Sequence, residues 1–299
     1  MRKILPAVAL IVLCISCVQT EGTQKHYVSF EGPAGLREYL RWHPGKTPLL
    51  GAHRGGPADG FPENCIATFE RALDYAPCLI ECDVRRSKDG ALVLMHDDNL
   101  DRTTTGRGGI SDFTLVELEE LRLVDGNGVV TEYEIPTLDE ALCWAKGKAV
   151  LELDVKDPVT PEEIVDIIRT RRAHDRVIVI AYGWRSAETY YRLDNELSIS
   201  CSAGDVEGVE YMLRSAVPSQ NLIAFVGVSE PSGDVYRLLH EQGICAILGT
   251  LGNLDRKARS RGVDVYLDLL RNGADVLATD DVEFASKALA LHGANLQRQ

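Results

Sequence analysis

The sequence has no CxxC pair, no low-complexity run, no sustained heptad pattern and no short repeat. The first absence removes the usual cysteine frame of a structural zinc site. The others remove coiled-coil, solenoid and fibrous architectures. Positive charge is also scarce: 32 Lys and Arg stand against 45 Asp and Glu, for a net charge of −13. Such a chain repels nucleic acid and anionic membrane surfaces. No apolar run is long enough to cross a bilayer comfortably; the longest, Ile4 to Ile15, follows Arg2 and Lys3 at the N-terminus and has the form of a secretory signal. It ends in Cys14-Ile15-Ser16-Cys17, a lipobox-like tetrad. Residues 1–17 are therefore expected to be a signal peptide. Cys17 then becomes a lipidated N-terminus that tethers an exported bacterial lipoprotein to a membrane, in the periplasm or at the cell surface. Cleavage without lipidation is the simpler alternative. Losing Arg2 and Lys3 leaves 30 basic residues against 45 acidic ones, a net charge near −15.

The remainder, 45% hydrophobic over most of 299 residues, suffices for a large core. Six cysteines follow Cys17, at positions 65, 78, 82, 143, 201 and 245. They sit singly in apolar stretches and read as core thiols rather than disulfide partners. Residues 18–46 form a lead-in with one helix near Leu36 to Trp42. From about residue 47 to 299, short apolar runs alternate with helix-like stretches, the pattern of a (β/α)8 TIM barrel. The runs begin at Leu49, Leu79, Leu92, Val150, Val177, Leu197, Leu222, Ala246 and Val276. That makes nine, one more than the barrel needs.

The surplus lies between Asp83 and Leu92, where there is no room for a helix. Asp89-Gly90 is a hairpin signal. With those two as the turn, cross-strand partners sum to 179 and His96 falls opposite Asp83. A short loop to an ordinary parallel strand is the alternative. After the His96 run, residues 99–136 are rich in Thr and Gly and read as a small insertion over one end of the barrel.

The polar residues stand where the apolar runs stop: His53-Arg54, Glu81 with Asp83, His96-Asp97, and Glu152, Asp154 and Lys156. Strand C-termini are where barrel enzymes carry their catalytic groups. Glu81 and Asp83 are two apart and share a strand face. Two carboxylates so close need a proton or cation between them, and a hard divalent ion, Mg2+ or Ca2+, suits all-oxygen ligation. A salt-bridge network closing the barrel end is the competing explanation. His53 and His96 suit acid and base roles, while Arg54 and Lys156 suit phosphate oxygens. Tyr182 and Trp184, beyond the fifth run, are candidates to line the pocket.

The ordered series His53-Arg54-Gly55, Pro62-Glu63-Asn64, Glu81-Cys82-Asp83, Lys88-Asp89-Gly90, His96-Asp97, Asp101-Arg102-Thr103-Thr104 and Ile135-Pro136-Thr137-Leu138 resembles the glycerophosphodiester phosphodiesterase family, with PI-PLC-like barrels as its wider kin. The likeness runs from Gly51 to Lys156 and weakens toward Ala278-Thr279-Asp280. It implies hydrolysis of glycerophosphodiesters to sn-glycerol 3-phosphate and an alcohol. It implies that His53 and His96 are the catalytic pair and that Glu81, Asp83 and Asp154 hold the metal; Glu63 joins Arg54 and Lys156 as a candidate on the substrate side. Two features depart from the family. Its Glu-x-Lys is Asp154-Val155-Lys156 here, and Glu152 shares that strand face, although spacing favours Asp154. A tryptophan-threonine pair at a late strand end is Gly249-Thr250 here, which removes an aromatic wall from the glycerol subsite. The rival functions are a related phosphodiesterase acting on lipid-bearing substrates, of lysophospholipase D or phosphoinositide type, and a lipoprotein that binds glycerophosphodiesters without turnover.

Overall fold

A computed structural model describes residues 25–296; the expected signal peptide and Cys17 lie outside the described residues. All nine apolar runs are strands: β1 (Leu49–Ala52), β2 (Cys78–Arg86), β3 (Leu92–Leu94), β4 (Val150–Val155), β5 (Val177–Ala181), β6 (Ser198–Ser202), β7 (Leu222–Phe225), β8 (Ala246–Gly249) and β9 (Val276–Thr279). Eight of them pair in parallel, and β1 joins both β2 and β9, which closes the sheet into a (β/α)8 barrel. Helices follow the barrel strands and cover its outside, including Ile66–Ala72, Leu138–Ala145, Pro161–Arg171, Trp184–Leu193 and Val206–Leu213. Several start on a Thr-x-x-Glu box; at Thr137 and Thr160 the hydroxyl accepts from the third backbone N–H, while Glu140 and Glu163 reach back to the cap, so exposed helix-end donors are satisfied locally.

The strands' alternation divides the interior into two zones. Outward residues such as Leu50, Ile80, Leu151, Val179 and Leu248 pack under the helices. Inward residues Leu49, Leu79, Val150, Ile178, Ile223 and Val276 form an apolar layer in the lower barrel. The lead-in helix, Gly32–Leu40, presses Leu36 and Leu40 into that layer and plugs the N-terminal end. It starts earlier than its periodicity predicts and stops at Leu40, because Arg41 and Trp42 turn to bond Ile244 and Gly243.

The surplus strand is a hairpin arm: β3 runs antiparallel to β2. The register differs by one from the expectation. Val84 pairs with Leu94 and Arg86 with Leu92, and Ser87 N–H donates to Ala91 O at 2.9 Å. The loop is therefore three residues, Lys88 to Gly90, with Gly90 in the left-handed region at φ 91°, the usual form of a three-residue hairpin. Met95, not His96, stands across from Asp83, its N–H donating to Asp83 O at 3.0 Å. The insertion carries its own buried cluster of Val93, Met95, Leu100, Ile110, Leu118 and Leu123 and packs over this hairpin. Of the six cysteines, five are buried; Cys143 is exposed on its helix and is not a core thiol.

Candidate active site

The polar strand ends gather at the C-terminal face. After β1 the chain makes a tight turn through His53–Gly55, with Arg54 at φ 51°, a conformation costing an L-residue roughly 1 kcal/mol. The turn aims the Arg54 N–H at Glu81 Oε2, 2.7 Å away. Gly55 is required because a Cβ there would lie 2.3 Å from the Phe69 ring. Asn64, also left-handed at φ 56°, gives its Nδ2 to Asp83 Oδ2 at 2.8 Å and accepts from the Asp83 N–H at 2.9 Å. Glu63 beside it accepts from Arg54 at 3.1 Å and from Arg102 at 2.7 and 2.8 Å.

β2 and β4 run in register, Glu81 beside Glu152 and Asp83 beside Asp154, so four carboxylates face the barrel interior together. Carboxylate oxygens of Glu81, Asp83 and Asp154 all lie within 4.8 Å of one another, the trio expected from the sequence. Burial, then the neighbouring Asp83, drives the Glu81 carboxyl well above its usual range, and Asp154 and Glu152 add to the rise. Lys156 partly compensates, its Nζ 3.0 Å from Asp83 and 2.5 Å from Asp154. Burial works against its charge, but these two acids outweigh that and raise its pKa. Tyr182 donates to Asp154, 2.7 Å from either oxygen. An all-oxygen, mutually repelling set fits a hard cation, and these residues could hold a metal ion.

Each histidine carries a carboxylate on Nδ1. His53 sits 2.7 Å from Asp280, whose backbone N–H is held by Asp255, itself bonded to Thr279 and Tyr266. His96 sits 2.7 Å from Asp97. Arg102 clamps that Asp at 2.7 and 3.0 Å, and its hydrogen bonds hold the Asp97 carboxyl well below the ordinary carboxylate range. Arg102 thereby ties the insertion to Asp97 and Glu63, and through Glu63 to Arg54. Asn64, Asp97, Arg102 and Asp280 stand in the sequence motifs without a role of their own: Asn64 and Asp280 meet partners 19 and 227 positions away, while the His96–Asp97 and Asp97–Arg102 pairs are local but turn on side-chain direction that spacing does not give.

Inside the barrel mouth lies a cavity of about 230 Å³ whose wall includes His53, Glu81, Glu152, Asp154, Tyr182 and Ser200. His96 is not on that wall, and neither is Trp184, which stacks on Tyr211 at 6.5 Å with Arg185 over its ring. Glu152 lies one layer deeper than Asp154. Burial pushes its carboxyl up to about 7, with Ser200 opposing, Asp154 adding and His53 opposing. At Gly249 a Cβ would meet Val228 at 3.0 Å and the Phe225 ring at 3.2 Å. Phe225 on the neighbouring strand therefore supplies the aromatic surface that Gly249 lacks.

The glycerophosphoryl diester phosphodiesterase family model matches residues 53–284. A glycerophosphodiester phosphodiesterase of Caldanaerobacter subterraneus is 35% identical over half of this chain, and the match spans 65% of that protein, just under two thirds of its length. One from Bacillus altitudinis is 28% identical over 63% of this chain and 80% of its own. Among solved structures, a glycerophosphoryl diester phosphodiesterase from Parabacteroides distasonis superposes with a TM-score of 0.85 at 32% identity, covering 90% of this chain and 95% of its own. An Oleispira antarctica phosphodiesterase, solved with the product sn-glycerol-3-phosphate, shares the fold with a TM-score of 0.62 at 21% identity, covering 81% of this chain and 96% of its own. With the matched span running from the first histidine of the site to the helix after β9, the chain belongs to the glycerophosphoryl diester phosphodiesterase family.

Proposed function

We propose that this protein hydrolyses glycerophosphodiesters to sn-glycerol 3-phosphate and an alcohol, with Mg2+ or Ca2+ on Glu81, Asp83 and Asp154. The observation that carries the reading is the carboxylate trio at the barrel mouth, with His53 on the wall of the same cavity as Glu81 and Asp154, and with His53 and His96 each backed by an Asp. The sn-glycerol-3-phosphate bound to the Oleispira relative supports the same substrate class here. When bound, the cation supplies charge neutralisation for the phosphoryl oxygens.

The chain's own groups do the rest. Arg54 Nε is buried without a hydrogen-bond partner among the described residues, a donor left over for an anionic oxygen, and Lys156 supports it from the other side of Asp83. Asp280 and Asp97, each 2.7 Å from an imidazole Nδ1, fix the orientation of the two rings and leave Nε2 free for proton transfer. One histidine deprotonates the nucleophile and the other protonates the leaving alcohol; where the nucleophile is water the monoester forms directly, and where it is the glycerol 2-hydroxyl water then opens the cyclic phosphate to sn-glycerol 3-phosphate. Export and a membrane tether through Cys17 belong to the same proposal and rest on residues 1–17 alone; among the described residues no helix is long and apolar enough to cross a membrane.

The test is a panel of glycerophosphodiesters assayed for glycerol 3-phosphate release after chelation and metal add-back, beside His53→Ala and His96→Ala. We expect chelation to abolish turnover, Mg2+ or Ca2+ to restore it, and each alanine variant to lose about 100-fold or more in kcat. Wild-type protein that released no glycerol 3-phosphate from any diester with metal present would refute the proposal.

A further inference from the structure

We propose that Asp255 is a positioning residue: with Arg259 it makes the helix Asn253–Arg261 a clamp that fixes Asp280 and, through Asp280, the ring of His53. The proposal rests on the hydrolytic reading for what His53 does, and on geometry alone for the clamp. The connection from β8 to β9 carries two helices, Asn253–Arg261 and Asp264–Asn272, where those from β4 to β5, β5 to β6 and β7 to β8 carry one each. The added helix reads Asn-Leu-Asp-Arg-Lys-Ala-Arg-Ser-Arg, and its buried residues are Asp255 and Ala258. A surface helix ordinarily holds its place by an apolar stripe. This one turns a carboxylate inward instead.

Asp255 is 6% exposed, and its described hydrogen bonds come from neutral donors. Oδ1 accepts from the Tyr266 hydroxyl at 2.9 Å and the Thr279 hydroxyl at 3.0 Å, and Oδ2 accepts from the Asp280 N–H at 3.0 Å. Burial pushes its carboxyl up, and hydrogen bonds from Thr250, Tyr266, Asp280 and Thr279 oppose the rise. A buried carboxylate is costly, and an apolar residue of the same volume would stabilise the fold at least as well. What the carboxylate adds is direction. Its own N–H donates to Thr250 O at 2.8 Å, which anchors it just past the end of β8. One turn on, Arg259 pairs with Asp281 and lies over the Phe284 ring at 5.0 Å. Residues four apart share a helix face, so one face grips positions 280 and 281 together. Thr279 completes the grip by accepting from the Asp281 N–H at 2.9 Å.

Asp280 needs such a hold. Its side chain is 46% exposed, and its carboxylate meets His53 Nδ1 at 2.7 Å. A half-exposed ion pair gains little by itself and competes with water, so the direction of the carboxylate has to come from the backbone that carries it. Asp255 and Thr279 fix that backbone.

The test reads the His53 tautomer and the kinetics separately. Proton–nitrogen spectra of the whole chain labelled with nitrogen-15 histidine, assigned through His53→Ala, should show neutral His53 as its Nδ1–H tautomer. Asp255→Ala should turn it into a mixture of tautomers while His96 keeps its own; Asp255→Asn, which retains an acceptor for the Asp280 N–H, should restore it. In the diester assay Asp255→Ala should lower kcat about tenfold with KM within about twofold of wild type. Added to Asp280→Asn, the same change should cost less than about twofold, because the carboxylate it acts through is already gone. Thr279→Val removes one link at nearly constant volume and should move the tautomer the same way, which keeps the test open if Asp255→Ala does not fold. An unchanged His53 tautomer in these variants, or a loss that simply adds to that of Asp280→Asn, would overturn the clamp while leaving hydrolysis intact. If no diester is turned over, the hydrolytic reading fails, and the tautomer still decides the clamp.

Discussion

Replacing Glu152 with Gln should stabilise the metal-free protein at alkaline pH and leave it unchanged in acid. The buried carboxyl has its pKa pushed up from 4.5 to about 7, so the folded state holds this proton more tightly than the unfolded chain does. Below about pH 4.5 both states are protonated and the group costs nothing. As pH rises toward 7 the unfolded chain ionises first, and stability drains away until the folded carboxyl ionises too. A gap of roughly 2.5 pKa units corresponds to about 3 kcal/mol, undiminished by solvent because the side chain is buried. Gln has the same shape and no charge, so the gap between variant and wild type should grow from near zero at about pH 3.5, through about 1 kcal/mol at about pH 5, to about 3 kcal/mol at about pH 8.5. In thermal unfolding that is roughly 6 °C for a chain of this size. The assay is urea and thermal denaturation in chelator across that range. A gap that did not change with pH, or a variant less stable than wild type at about pH 8.5, would refute the reasoning.

Arg102→Ala should lower kcat about tenfold with a smaller change in KM, because it frees Asp97 and Glu63 while its half-exposed position lets water replace part of the clamp; Arg102→Lys, which cannot bridge both acids in the same planar way, should recover little of the loss. Asp280→Asn should cut kcat by about 10- to 100-fold, since an amide no longer holds the His53 ring in the tautomer and orientation the carboxylate sets, and steady-state kinetics beside an unchanged circular dichroism spectrum check it. In native protein, a thiol reagent followed by peptide mapping should label Cys143 first among the six described cysteines, the other five being buried.

The barrel was legible because its signal is local. Most strands are short apolar runs, and the charged groups of the site stand at or near their C-terminal ends. Glu81, Asp83 and Asp154 could be named as one set because parity and register do not depend on loop details. The hairpin register did depend on them. Asp89-Gly90 marks the turn, but whether Lys88 joins the loop is set by the Ser87–Ala91 pair and by Asp89 accepting from the distant Leu115 N–H. The carboxylate behind His53 was out of reach for a different reason: Asp280 lies 227 positions away, and only barrel closure brings β9 beside β1. Trp184 shows the converse. Its position after β5 points toward the pocket, yet its ring is taken by Tyr211 on the next helix.

The plug made by Leu36 and Leu40 beneath the inward apolar layer has a kinetic consequence. Among the described residues the N-terminal end of the barrel is filled by this plug, so exchange runs through the C-terminal mouth. On the hydrolytic reading proposed above, a glycerol half seated in the cavity would leave the alcohol nearer the mouth, so that the alcohol would depart ahead of the phosphomonoester. Product inhibition should therefore be competitive with the monoester and noncompetitive with the alcohol, an ordered release imposed by a nine-residue helix on the far side of the molecule.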